Sequence, residues 1–264
     1  MRKQSLAAIS ACLYLFLYLP LLVVVVASVN AARFGAEWKG FTLDWYRAAF
    51  GNEQVLAALQ NTLVLGVVSA GIATVIGTLL GYGLARHEFA GKKLVQRAML
   101  FPIAVPDIVM AVALLSFYAV LRSWTGFGNL GLGTMIVAHV TFQIPFVAMV
   151  VRARLRGMDA AIEEAAADLG ATRWQRVWHV TLPMLRPGIV AGALLAFTLS
   201  LDDFVVSFFT SGPGATTVPI YIYSSVKRGV TGEVNALSTV LILTAVLGTV
   251  AVGWLGRKTD ENHE

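Results

Sequence analysis

Charged residues and cysteine are both scarce in this chain. Only 13% of its 264 residues are charged and 57% are hydrophobic, whereas about 25% of the residues in an average soluble domain are charged. The composition therefore excludes a soluble globular protein and indicates one that lies in a lipid bilayer. Cys12 is the one cysteine, which excludes an internal disulfide and a metal site built from cysteines.

Motifs for nucleotide binding and catalysis are lacking as well. The sequence has no G-x-x-x-x-G-K-[ST] loop and no G-x-G-x-x-G turn in a βαβ setting, which excludes the usual phosphate-binding loops. The histidines, His87, His139, His179 and His263, lack metal-ligand spacing, and nothing resembles a nucleophile with its base. We therefore expect no enzyme active site, no metal and no cofactor bound by this chain.

Long apolar runs are what the sequence does have. A helix needs roughly 20 residues to cross a hydrocarbon core of about 30 Å. Six runs are long enough: 6–29, 59–85, 98–121, 134–151, 189–210 and 236–255. The first follows basic residues, as in a cleaved signal peptide, but it exceeds the roughly 7–15 residues of a signal core. We expect a retained helix, and hence an all-α integral membrane protein with six transmembrane helices in one domain, 1–264.

The basic residues predict the orientation of these helices. Six spans place both termini on one side, and fourteen of the 20 lysines and arginines fall on that side. They are Arg2, Lys3, Arg86, Lys92, Lys93, Arg97, Arg152, Arg154, Arg156, Arg173, Arg176, Arg186, Arg257 and Lys258. Cytoplasmic loops carry such an excess, which also explains the net charge of +5. Both termini and the segment 152–188 are therefore predicted to be cytoplasmic, and the segments 30–58 and 211–235 to face outward.

The polar segment 152–188 predicts two short helices joined by a glycine. Asp159 is a suitable cap for a helix over 160–169, and Gly170 supplies the left-handed conformation that commonly ends one. Thr172, with Gln175 three residues on, fits a capping box for the second helix, which Pro183 is expected to stop.

The second helix is expected to place Trp174, Val177, Trp178 and Thr181 on one face. The alternative is a solvated connection whose tryptophans lie on the membrane surface.

Two adjacent carboxylates, Asp202 and Asp203, lie inside the fifth apolar run. Each costs roughly 2.5–3.5 kcal/mol at bilayer depth, so they must face protein or water. Counted from Pro187, they lie about 22 Å along the helix, beyond the midplane. Neighbours on a helix point about 100° apart, so both reach one lumen only if the helix unwinds locally or sits in a corner. They line a cation pathway or serve as structural hydrogen-bond acceptors.

Three weaker candidates accompany the acidic pair. Asp107, placed near the cytoplasmic interface, is expected to be solvated, paired with a basic loop residue or part of the pathway. Tyr221 and Tyr223, with Phe204, offer cation-π contacts to an amine, although aromatic residues in membrane helices are usually packing residues.

Two further patterns allow more than one interpretation. Trp38, Phe41, Trp45 and Tyr46 in the first outer segment indicate an interfacial aromatic belt or a docking surface for an external protein. The turn-rich stretch 212–219 lines a path or is a simple outer loop.

Five glycines in the second span are expected to let helices approach closely. They are Gly66, Gly71, Gly77, Gly81 and Gly83.

The cytoplasmic segment also carries a family motif. It reads Glu164-Ala165-Ala166, three residues, Gly170, nine residues, and Val180-x-Leu182-Pro183. This resembles the E-A-A-x3-G-x9-I-x-L-P motif of permease subunits in bacterial ABC importers, in which coupling helices enter a cleft of the ATPase subunit. The resemblance implies ATPase-coupling roles for Glu163, Glu164, Ala165, Ala166, Asp168, Leu169, Gly170, Arg173, Trp174, Leu182 and Pro183.

Other segments resemble the spermidine/putrescine permeases of these importers, and the similarity covers essentially the whole chain. The segments are 30–35, 38, 40–42, 45–46, 106–109, 197–203, 212–213 and 233–237. The resemblance implies the permease fold of type I ABC importers, with the coupling loop between the fourth and fifth spans, and polyamine cargo. Tyr221 stands where one branch of these permeases tends to carry lysine, while 214–217 resembles another branch, so the preferred polyamine stays open.

The resemblance also implies the partners. They are a second, homologous permease of the PotB or PotH type, two ATPase subunits that bind ATP and Mg²⁺, an external polyamine-binding protein and membrane lipid, without nucleic acid. The chain is then a multi-pass translocation subunit of the cytoplasmic (inner) membrane and not an enzyme. The alternatives are an ABC permease for another small or cationic solute and a secondary transporter driven by an ion gradient.

Overall fold

The computed structural model describes residues 2–34 and 37–261, and the regular elements in these ranges are helices. Gly35 and His263, both named above, lie outside the described residues. The helices are α1 (Arg2–Ser28), α2 (Asp44–Gly51), α3 (Glu53–Arg86), α4 (Lys92–Ala98), α5 (Phe101–Ala104), α6 (Asp107–Thr125), α7 (Leu132–Arg156), α8 (Ala160–Asp168), α9 (Arg173–Arg176), a π-helical turn (Val177–Thr181), α10 (Leu182–Asp202), α11 (Val205–Thr210), α12 (Val218–Val226) and α13 (Gly232–Glu261).

Five helices in the described part of the chain are long and apolar enough to cross a membrane. They are Ile9–Ser28, Glu53–Arg86, Asp107–Thr125, Leu132–Arg156 and Arg173–Asp202. The sixth predicted span, 236–255, falls on α13, which runs Gly232–Glu261. The all-helical membrane class is confirmed, and the sixth crossing stays a prediction.

The third span begins later than the sequence indicated. It was expected to start at residue 98, but α6 starts at Asp107, after two short helices. Val105 is extended, with ψ 133°, directly before Pro106. A proline disfavours the helical conformation in the residue before it, which explains the break.

The prediction that Pro183 stops the second cytoplasmic helix is wrong. Residues Arg173–Asp202 form one continuous helical stretch, so the helix that contains the start of the predicted fifth span already begins at Arg173. In the π-helical turn, the Leu182 N–H donates to the carbonyl of Val177. A π-helical turn inside an α-helix shifts the hydrogen-bond register, and Pro183 follows this turn directly inside the continuous helix.

The chain divides into two compact units. Residues 57–220 form the larger one, in which α7 packs against α10 and α11 packs against α6 and α7. Three of the predicted glycine contacts are confirmed: a Cβ on Gly66, Gly77 or Gly81 would lie 2.9, 2.7 and 2.7 Å from Phe197, Val147 and Ala148. Gly71 and Gly83 have nothing within 4 Å of such an atom, so no close helix contact is observed at these two positions within this chain.

The other unit combines the part of the chain up to Leu56 with the part from Tyr221 onward. In it, α13 packs against α1 and α2. Asn30 organises the outer segment, because its side-chain oxygen accepts from Lys39 N at 2.9 Å and its carbonyl accepts from Trp45 Nε1 at 2.8 Å. Trp38 and Phe41 stay exposed, so both interpretations of this aromatic segment remain predictions.

Candidate functional site

The fifth span breaks at the acidic pair. α10 ends at Asp202, Asp203 is extended with ψ 121°, and α11 begins at Val205. The two side-chain oxygens of Asp203 accept from the backbone N–H groups of Val206 at 3.2 Å and Ser207 at 2.7 Å. An aspartate before a helix commonly caps it in this way, so the residue that interrupts α10 also starts α11.

A fully buried histidine on α7 supports this break. His139 Nδ1 lies 2.8 Å from the Ser200 hydroxyl on α10, and Nε2 lies 3.0 Å from the Ser207 hydroxyl on α11. His139 Nε2 is also 3.3 Å from Asp203 Oδ2. The sequence pointed to no role for His139, because its partners are 61 to 68 residues away.

The break opens on a cavity of about 330 Å³ that contains all three predicted carboxylates. Its walls are Pro102, Ile103, Asp107, Met110, Phe142, Phe146, Leu199, Asp202, Asp203, Phe204, Val205 and Val206. We call this cavity the acidic pocket. The sequence had placed Asp107 near the cytoplasmic interface and the acidic pair beyond the midplane. One pocket holds all three, so Asp107 lies closer to the acidic pair than these two depths imply.

The carboxylates of the acidic pocket differ in their surroundings. The Asp203 side chain is only 10% exposed, whereas Asp107 and Asp202 are exposed. Within residues 2–34 and 37–261, no basic side chain forms an ion pair with Asp107 or Asp202. The pairing of Asp107 with a basic loop residue, one of the alternatives above, is therefore not observed there.

The two tyrosines belong to the smaller unit. Tyr221 is buried, and its hydroxyl donates to Glu233 Oε1 at 3.2 Å while Asn52 Nδ2 donates to the same carboxylate oxygen at 2.7 Å. Tyr223 is 40% exposed, with Lys227 Nζ 4.6 Å from its ring centroid. Tyr221 thus holds a local hydrogen-bond network, and a pathway role for either residue stays a prediction.

The turn-rich segment after α11 is packed into the protein. Asn61 Nδ2 on α3 donates to the carbonyls of Gly214 at 2.8 Å and Thr216 at 3.0 Å. Val218 N donates to the Thr62 hydroxyl at 2.8 Å. The bond between Val218 and Thr62 is buried, whereas the two bonds of Asn61 are exposed. Together they attach this segment to α3 within the larger unit.

The first predicted cytoplasmic helix forms as expected. Asp159 caps α8 by accepting from Ala161 N at 2.9 Å, and Gly170 ends it with φ +83°. Thr172 and Gln175 form the predicted capping box at the start of α9. The predicted coupling residues lie on α8 (Glu163, Glu164, Ala165, Ala166, Asp168), in the connection (Leu169, Gly170), on α9 (Arg173, Trp174) and at the start of α10 (Leu182, Pro183).

Glu163 joins three elements of the larger unit. Its Oε1 accepts from Arg86 Nη2 at the end of α3, at 3.1 Å, and from the Thr181 hydroxyl, at 2.9 Å. The Arg86 and Glu163 side chains are 23% and 19% exposed. Arg86 is 77 residues from Glu163, so no local sequence signal could have revealed this contact.

The other surface of this loop stays exposed. Leu169 is 89%, Trp174 70% and Trp178 50% exposed. The two tryptophan rings contact each other edge to face, with centroids 5.5 Å apart, whereas Thr181 is buried. The tryptophans therefore pack on one another and leave an apolar surface uncovered within this chain, beside the exposed carboxylates of Glu164 and Asp168.

Comparisons with known proteins agree with this architecture. The family described as "Binding-protein-dependent transport system inner membrane component" matches residues 73–260. The spermidine/putrescine transport system permease protein PotC of Escherichia coli (strain K12) is 41% identical over 251 residues, which are 95% of this chain and 93% of the relative. The putrescine transport system permease protein PotI of the same organism is 40% identical over 243 residues, covering 91% and 86%.

A solved structure shares the fold. A chain in the crystal structure of a bacterial alginate ABC transporter, in complex with its pentasaccharide-bound periplasmic protein, superposes with a TM-score of 0.74. It covers 96% of this chain and 93% of its own length at 22% identity.

Proposed function

Since this chain belongs to the inner-membrane components of binding-protein-dependent transport systems, we propose that it moves spermidine, putrescine or both through the acidic pocket of an ATP-driven importer. Its relatives PotC and PotI are permeases of spermidine/putrescine and putrescine transport systems. The chain is a translocation subunit of the inner membrane, and ATP hydrolysis belongs to a separate ATPase subunit.

The observation that carries the polyamine proposal is the grouping of Asp107, Asp202 and Asp203 around one cavity. Near neutral pH, spermidine carries about three positive charges and putrescine about two, because alkylamines have pKa values of about 10. A polycation that leaves water loses solvation, and pairing with carboxylates offsets part of this loss. The aromatic walls, Phe142, Phe146 and Phe204, accommodate the methylene segments of such a cargo and add cation-π contacts.

The cytoplasmic loop supplies the connection to ATP hydrolysis. Leu169, Trp174 and Trp178 form an exposed apolar surface, and such a patch on a loop marks a protein-protein contact. The ATPase cleft is the partner we assign to it, and Glu163 transmits the movement of α8 to α3 and α10 through its contacts with Arg86 and Thr181.

The complete importer contains one copy of this chain, a homologous permease of the PotB or PotH type, two ATPase subunits with ATP and Mg²⁺, and an external polyamine-binding protein. Both termini of this chain face the cytoplasm. The exposed coupling surface favours this arrangement over a secondary transporter, which needs no ATPase contact.

Reconstitution tests the proposal. The chain is placed in proteoliposomes with its partner permease, ATPase subunits and binding protein, and uptake of labelled spermidine and putrescine is measured. We expect saturable uptake of at least one polyamine that requires ATP and stops with a non-hydrolysable analogue. Uptake that follows an ion gradient without ATP, or competition by unrelated solutes and not by polyamines, would contradict the proposal.

A further inference from the structure

The two adjacent aspartates at the end of α10 have different numbers of partners. Both Asp203 oxygens already accept backbone N–H groups, and Oδ2 also lies 3.3 Å from His139 Nε2. Asp202, one residue earlier, is exposed in the acidic pocket and has no ion pair among the described residues. Because hydrogen bonds and a nearby imidazole compensate the Asp203 carboxylate, it has less capacity left for a cation than Asp202.

His139 contacts both sides of the helix break with its two ring nitrogens. Nδ1 reaches Ser200, three residues before Asp203 on α10, and Nε2 reaches Ser207 on α11. A neutral imidazole has one donor and one acceptor, and either serine hydroxyl can take the complementary role. One fully buried ring therefore fixes the end of α10, the start of α11 and the carboxylate between them.

A second set of polar contacts holds the helices on which this ring depends. Gln143 Nε2, one turn along α7 from His139, donates to the Ala196 carbonyl at 3.0 Å and to the Ser69 hydroxyl at 3.2 Å. Ser69 lies 3.5 Å from the Ser200 hydroxyl. These groups are buried, and although Gln143 Oε1 accepts no hydrogen bond within the described residues, the bonds that form join α7 to α3 and α10.

We propose that His139 and Asp203 are positioning residues that hold the break between α10 and α11, and that Asp202 and Asp107 are the carboxylates that bind the cationic cargo. Asp203 directs α11 through its capping bonds, and the break turns Asp202 toward Asp107 across the acidic pocket. The proposal rests on the polyamine function and divides the roles of the three carboxylates within it.

The dependence on cargo charge separates the two roles. Asp202→Asn removes a charge that meets the cargo, so it should lower spermidine uptake by about tenfold and putrescine uptake by less. The uptake ratio of the two polyamines changes as a result. Variants of the positioning network should instead lower spermidine uptake and putrescine uptake by the same factor, so that the uptake ratio stays as in the wild type. These variants are Asp203→Asn, His139→Leu and Ser200→Ala.

Conservative replacement and a double-mutant cycle complete the test in the assembled transporter. His139→Gln keeps a donor and an acceptor and should retain most of the uptake that His139→Leu loses. Thermal unfolding needs no cargo and gives the loss of stability caused by each substitution. The losses caused by His139→Leu and Asp203→Asn should be non-additive in the double variant, whereas those caused by His139→Leu and Asp202→Asn should be additive.

The outcomes also distinguish this proposal from the polyamine function. If the wild type fails to transport polyamines, the proposed function is wrong, and the thermal cycle still decides whether His139 and Asp203 act as one unit. The division of roles is wrong if Asp203→Asn changes the ratio of spermidine uptake to putrescine uptake as Asp202→Asn does. It is also wrong if the losses of stability caused by His139→Leu and Asp203→Asn prove additive.

Discussion

At the scale of single residues, the effect of a glycine on the stability of α3 depends on whether another helix lies directly against it. A Cβ on Gly81 would lie 2.7 Å from the carbonyl oxygen of Ala148 on α7, and backbone cannot yield as a flexible side chain does. Gly71, on the same helix, faces open space. The sequence predicted packing for both, because a glycine in a span looks the same whichever way it faces.

Substitution by alanine should therefore have opposite effects at these two positions. Gly81→Ala is expected to lower the free energy of unfolding by about 1–3 kcal/mol through overpacking. Gly71→Ala should raise it by up to about 1 kcal/mol, since alanine favours the helix. Thermal unfolding of the purified protein in detergent compares the two variants, and equal effects would argue against the close packing of α3 on α7.

At the scale of elements, the sequence was informative where the signals are local. Asp159, Gly170, Thr172 and Gln175 act on backbone groups within a few residues, and the helix ends that they predicted are present. The prediction from Pro183 was wrong because the preceding π-helical turn changes which backbone N–H groups form the hydrogen bonds of the helix. Neither that turn nor the contact of Glu163 with α3 has a signature in neighbouring residues.

The ion pair between Glu163 and Arg86 should matter for both stability and coupling. Glu163→Gln removes the charge that pairs with the partly buried guanidinium, and we expect a loss of about 1–3 kcal/mol in the free energy of unfolding. Because α8 is then held less firmly to α3, more ATP should be hydrolysed per polyamine transported. Parallel assays of ATPase activity and uptake give this ratio.

The chain contains a matched control for that variant. Asp44 pairs with Arg47 at 3.7 Å, and both side chains are exposed, by 80% and 86%. Asp44→Asn should leave stability and the ATP-to-cargo ratio unchanged, because exposed ion pairs contribute little. A Glu163→Gln variant that behaves like Asp44→Asn would show that the pair of Glu163 and Arg86 neither stabilises nor couples.

At the scale of the whole molecule, the sequence predicted the membrane class, which is confirmed, and a distribution of charge between the two sides, which stays a prediction. Apolar length and basic-residue bias are summed over many positions, so single errors at helix ends do not alter them. The grouping of Asp107 with Asp202 was not predictable in the same way, because it depends on where the chain breaks at Pro106 and Asp203 and on how α6 packs against α11.

Orientation is testable by labelling single cysteines in a Cys12→Ser background. Lys39→Cys lies in a segment predicted to face outward, and Glu88→Cys lies beside the basic end of α3, which is predicted to be cytoplasmic. In intact spheroplasts, a membrane-impermeant maleimide should label Lys39→Cys at once and Glu88→Cys only after permeabilisation. The reverse pattern would overturn the predicted topology.

The central claim is that a polycation crosses the membrane by way of the acidic pocket, and one measurement tests it most directly. Initial rates of ATP-driven spermidine uptake are compared in proteoliposomes for the wild type, the Asp107→Asn/Asp202→Asn double variant and the charge-conserving Asp202→Glu variant, with matched amounts of assembled transporter. We expect the double variant to lose at least about tenfold in rate and Asp202→Glu to keep a substantial part of it. Wild-type uptake by the double variant would contradict the account.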